Sequence, residues 1–166
     1  DAQKAMDNRK TPIASFYANL QVFKGYAEKE YLPYTTSAGD VAALDAALDN
    51  ILEEGIETVY ARHDRIASSV REAAQAYGLD LFLDSDRSNT VTAIRIPEEI
   101  GALRLQDHLS ENYNLLVATS LAQYADVILR IGHMGENAFI DKLIYVLSII
   151  DNGLRDLGFA GNGDLA

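Results

Sequence analysis

Ile128-Leu129-Arg130-Ile131-Gly132-His133-Met134-Gly135-Glu136-Asn137 puts an arginine near the end of an otherwise apolar segment, followed by two glycines and a helix start. Residues 127–131 read as a strand. A guanidinium among apolar neighbours is costly unless an anion meets it, and its planar fork suits bidentate recognition of a carboxylate. On pattern alone, pairing of Arg130 with one of the chain's own acids is the favoured reading.

The neighbouring segments extend this pattern. Downstream, Phe139, Ile140, Leu143, Ile144, Leu147, Ile150, Leu154 and Leu157 recur at helical spacing from near Glu136 to Gly158, and Gly161-Asn162-Gly163 reads as a frayed tail. Upstream, Leu115 to Ala118 is a strand candidate, and residues 101–113 carry Leu103, Leu105 and Leu109 on a helix. A β-rich run from Val91 to Ile96 stops at Pro97, and Leu79, Leu81 and Leu83 alternate as a short strand would. From Asp40 to Gly78 the period is helical, with Gly55 breaking or bending it, so two tandem helices or one bent helix are expected. The order predicts an α+β unit, an antiparallel sheet covered by helices, preceded by a helical linker arm. The first fifty-odd residues look like a connector that needs a surface elsewhere. Ile13, Phe16, Tyr17 and Leu20 suggest a short amphipathic helix there, and residues 31–37 suggest extended chain around Pro33.

Composition narrows the function classes. The chain has 166 residues, with 14 Lys and Arg against 25 Asp and Glu, a net charge of −11. That balance argues against an unaided nucleic-acid or anionic-membrane surface. No cysteine is present, which excludes disulfides and thiolate chemistry. No apolar run approaches the roughly 20 residues of a membrane span, and Asp1-Ala-Gln-Lys does not read as a secretory leader. A cytoplasmic location is the default expectation. His63, His108 and His133 stand apart from any ligand-spaced partner, so no metal site is expected. His63 and His108 read as ordinary surface or half-buried histidines. Acidic pairs such as Glu53-Glu54 read as solvated helix faces.

The run from Arg130 to Asn137 resembles the C-terminal signature of class V aminotransferases, fold-type I pyridoxal-phosphate enzymes of the alanine–glyoxylate and serine–pyruvate group. Ser15-Phe16-Tyr17, Pro33-Tyr34-Thr35, Leu52-Glu53-Glu54-Gly55, Arg62-His63 and Thr90-Val91-Thr92-Ala93 match that family in order. The resemblance implies that residues 1–54 are the end of the large domain and its linker helix, and 55–166 the small C-terminal substrate-binding domain. It implies that Arg130 holds the substrate α-carboxylate, which reverses the balance struck on pattern alone. Thr35, with Tyr34 beside it, would reach the phosphate of pyridoxal 5'-phosphate, and His133 and Met134 would shape the turn. The family's Schiff-base lysine falls upstream of Asp1. The implied protein is therefore the C-terminal portion of an aminotransferase, inactive alone, acting on an amino acid and a 2-oxo acid in a dimer or other homo- or hetero-oligomer with a separate N-terminal large-domain chain. The alternative is a non-catalytic dimerisation or interaction module. Two departures stand out: Thr36 where many relatives have proline, and Val117–Gln123 where many have a glycine-rich turn whose positive φ these residues resist.

Overall fold

The computed structural model describes residues 2–165, the side chain of Gln3 excepted; Asp1 and Ala166, the outermost residues of the expected 1–54 and 55–166 segments, lie outside the described residues. The chain divides into two compact units, Asp1–Asn50 and Ile51–Ala166.

In the first unit the helix expected around Ile13 to Leu20 does not form. Helix α1 spans Ala2–Asp7 instead, and a single 3-10 turn, Leu20–Phe23, starts where Asn19 Oδ1 accepts from the Gln21 amide at 3.0 Å. The aromatic residues cluster around Tyr34, with ring centroids of Phe16, Tyr17 and Phe23 at 5.9, 5.2 and 5.4 Å from it. Helix α2, Ala38–Glu54, buries no residue and leaves Val41, Leu44 and Leu48 exposed.

The second unit begins at the end of α2. Gly55, at φ 84°, separates α2 from α3, Ile56–Tyr77, so the two-helix alternative is the one observed. Ile66, Val70, Ala74 and Tyr77 form the buried face of α3. Gly78, left-handed at φ 98°, closes it as the Leu79 amide returns to the Ala74 carbonyl at 2.9 Å.

The alternation over residues 79–83 yields only one bridge, Leu81 to Ile94, because the turn around Asp86 (φ 54°) takes the chain off the sheet edge. Strand β1, Val91–Arg95, is followed by α4, Ala102–Tyr113. The strand expected at 115–118 is the shorter β2, Ala118–Thr119, and β3 covers Ile128–Gly132. The sheet order is β1-β3-β2, antiparallel throughout, with β3 in the centre. Leu129 and Ile131 point into the core with Ile94, facing Leu105, Leu109, Leu147 and Ile150.

A 3-10 turn, Gly135–Asn137, precedes the last helix, α5, Ile140–Asp156, which therefore starts later than its apolar period suggests. Gly153 lets α5 approach α4: a Cβ there would meet Leu109 Cδ2 at 2.6 Å. The tail is docked rather than frayed. The Asn162 amide donates to the Tyr77 carbonyl at 2.8 Å, Gly161 lies flat against Tyr77, and Leu165 is buried. Burying Leu165 contributes about 1.5–3 kcal/mol towards the cost of ordering those residues.

Candidate functional site

Strand alternation sets the direction of Arg130. With Leu129 and Ile131 in the core, Arg130 emerges on the opposite face of the central strand, registered with Ala93 of β1 and Ala118 of β2. These two small neighbours leave the side chain open above them. Its Nε donates to the Thr119 carbonyl at 2.8 Å, which fixes the plane of the fork. Among the described residues no carboxylate pairs with it, and neither terminal nitrogen has a protein acceptor. Arg130 lies between two cavities. The larger, about 630 Å³, is bounded by Val117, Gly132, Asn137, Lys142 and Tyr145. The smaller, about 210 Å³, opens towards Arg71, Arg87 and Ala93.

The turn after Arg130 is held by groups far away in sequence. Arg62 on α3 donates through Nη1 to the carbonyls of Gly135 (2.9 Å) and Ala138 (3.2 Å). Its Nε and Nη2 grip both carboxylate oxygens of Glu54 at 2.6 and 2.7 Å, and its guanidinium lies 4.2 Å from the centroid of the Phe139 ring. The hydrogen bonds to Arg62, followed by its charge, hold the Glu54 carboxyl below its ordinary pKa. His63 is half-buried, within the expected range, and it holds the turn: the Gly135 amide donates to its Nε2 at 3.0 Å, and its Nδ1 lies 2.7 Å from the Val59 carbonyl. Only the neutral ring with its proton on Nδ1 satisfies both contacts.

His133 is 2% exposed, with Nε2 2.8 Å from the Thr92 hydroxyl. Its Nδ1 is buried without a partner among the described groups. Burial, more than any other cause, lowers its pKa. It packs beneath the turn and borders the larger cavity. His108 forms a separate network, with Nε2 2.9 Å from Asp156, which also accepts from the Tyr113 hydroxyl at 2.6 Å.

The loop at 117–123 accommodates a left-handed residue without glycine, since Ala122 stands at φ 51°. Thr35 and Tyr34 belong to the first unit. Thr35 is exposed with no hydrogen-bond partner among the described residues, and Tyr34 is half-buried within the aromatic cluster. An unpaired hydroxyl beside a phenol fits a phosphate as a donor set.

The sequence pointed to Arg130 but gave no cue to the geometry of Arg62 and His63, although the pair belongs to the matching motifs. Among the described residues no helix is long and apolar enough to cross a membrane, and none form a cluster suited to a metal ion.

No family model matches the chain. It is 40% identical over 136 residues to an L-aspartate–glyoxylate aminotransferase of Paracoccus denitrificans, covering 81% of this chain and 34% of that protein. It is 34% identical over 160 residues to a serine–glyoxylate aminotransferase of Arabidopsis thaliana, covering 94% of this chain and 40% of that protein. The structure of a ureidoglycine–glyoxylate aminotransferase from Bacillus subtilis superposes with a TM-score of 0.89 at 28% identity, covering 98% of this chain and 43% of that one. The fold is that of the C-terminal portion of a fold-type I aminotransferase. Within that class the chain belongs to the class V aminotransferases, and it spans about two fifths of the length of the relatives it matches.

Proposed function

We propose that this chain is the substrate-clamping C-terminal portion of a pyridoxal-phosphate-dependent aminotransferase that moves an amino group between an amino acid and a 2-oxo acid. The observation that carries this reading is Arg130: an unpaired guanidinium with its plane pinned by Thr119, between two cavities. Its free edge is suited to take the α-carboxylate of either substrate in a two-point grip. Holding that group fixes which bond at Cα faces the reacting centre, so orientation is set before chemistry begins. When bound, pyridoxal phosphate supplies the electron sink that makes the α-proton of an amino acid removable. Thr35 and Tyr34 would donate hydroxyl hydrogen bonds to its phosphate.

In the relatives' family the Schiff-base lysine belongs to the N-terminal large domain, which these residues do not span, whether it comes on one polypeptide or two. The exposed Val41, Leu44 and Leu48 of α2 support a partner surface there and an oligomeric enzyme, dimeric in the simplest case. A cytoplasmic location is part of the same proposal.

Arg130→Ala in the assembled enzyme tests the assignment. Charge-assisted hydrogen bonds of about 1.5–3 kcal/mol predict roughly ten- to hundredfold weaker amino-acid binding, with cofactor absorbance retained. Unchanged affinity would remove the role.

A further inference from the structure

The smaller cavity beside Arg130 is lined by three arginines from separate elements. Arg71 comes from α3, Arg87 from the turn before β1, and Arg130 from β3. The chain has 25 acids against 14 Lys and Arg, yet none of these three arginines is ion-paired among the described residues. Arg71 reaches only the Ser88 carbonyl at 2.5 Å and Asn89 Oδ1 at 3.3 Å, both through Nη2, and its Nε is buried without an acceptor. Arg87 spends its Nε on the Leu83 carbonyl at 2.7 Å. Two acids are nearby. Neither forms an ion pair with the three arginines: Asp86 borders the cavity and accepts from the Ser85 hydroxyl at 2.9 Å, while Asp64 accepts from Asn89 at 3.0 Å and its charge offsets part of the burial of Arg71. Burial, and then the neighbouring charge of Arg87, push the Arg71 pKa below the ordinary arginine value. Like charges kept together and unpaired are destabilising until an anion joins them.

We propose that this cavity is a second anion subsite, which takes the side-chain carboxylate or phosphate of a substrate whose α-carboxylate sits on Arg130. Its substrate class is then acidic amino acids and their 2-oxo acids. This rests on the Arg130 reading above. A volume of about 210 Å³ accommodates a short acidic side chain, whereas the larger cavity on the other side offers the single ammonium of Lys142. Arginine forks at Arg71 and Arg87 match planar or tetrahedral oxyanions better than one flexible ammonium does.

The test compares three unreactive acids on the cofactor-loaded assembled enzyme: butyrate, succinate and 3-phosphonopropionate, with Kd measured by calorimetry. At least one dianion is expected to bind tenfold or more tightly than butyrate, and the tighter of the two identifies the side-chain anion. Arg87→Gln, at an exposed position, is expected to shrink that preference several-fold. Arg71→Gln serves as a second variant, with its fold checked by circular dichroism. Arg130→Ala is expected to weaken all three acids. Equal affinities for butyrate and the dianions, or a preference unmoved by Arg87→Gln, overturn the subsite. If Arg130→Ala still weakens butyrate in that case, the α-carboxylate role stands alone. If Arg130→Ala leaves butyrate unaffected, or if no acid binds, the Arg130 reading fails and the subsite fails with it.

Discussion

His133 and Arg62 show how single side chains support the turn that follows Arg130. His133 is sealed beneath the turn with Thr92, and burial holds its pKa below the free-histidine value. In the unfolded chain the same ring takes up a proton near pH 6.5. Unfolding therefore binds a proton at and below that pH, so this contribution to stability is complete above about pH 6.5 and is lost as pH falls towards the depressed folded value. Urea midpoints taken from pH 8 to pH 5 are expected to fall, and His133→Gln should flatten that slope. Arg62 acts on Gly135 and Ala138 across 73 and 76 residues of sequence. Arg62→Ala should free the turn and weaken butyrate binding several-fold in the assembled enzyme while cofactor absorbance persists. An unchanged Kd would show that the turn does not orient Arg130.

At the scale of elements, the apolar period identified α3, α4 and α5 because each buries one stripe against the same core. Glycine places α5 close to α4. Gly153→Ala would improve helix propensity by about 0.5–1 kcal/mol, but its Cβ would meet Leu109, which is fully buried and has nowhere to go. Overpacking costs typically 1–3 kcal/mol, so a net loss of about 1–2 kcal/mol is expected in chemical denaturation. The alternation at 79–83 misled because period 2 is a property of the segment, whereas strand length depends on a partner running alongside. β1 meets that segment at only one bridge before the Asp86 turn diverts the chain. The helix expected near Ile13 failed for a related reason. Phe16 and Tyr17 stack on Tyr34 instead, while both rings and Leu20 stay largely exposed, so no apolar face within these residues holds a helix.

Across the whole molecule, stability is unevenly distributed between the two units. Among the described residues of 1–50 none is buried, whereas the core of 51–166 draws on α3, α4, α5 and the sheet. Hydrogen exchange of residues 1–166 should show the slowest amides in β1, β3 and the second half of α3, with residues 2–37 exchanging at the earliest times. Slow exchange in 2–37 would mean that this segment is covered in solution by a second molecule.

The sequence alone determined the helical periods, the stop at Gly78, the α+β class and the family-like run around Arg130. These depend on local spacing and on residue types that a short window contains. Tertiary structure decided that Arg130 stays unpaired, that Arg62 and His63 clamp its turn, that the tail docks on Tyr77, and that Arg71 and Arg87 share its cavity. Each of those depends on distances between residues far apart in the chain, which only the packing of the helices on the sheet determines.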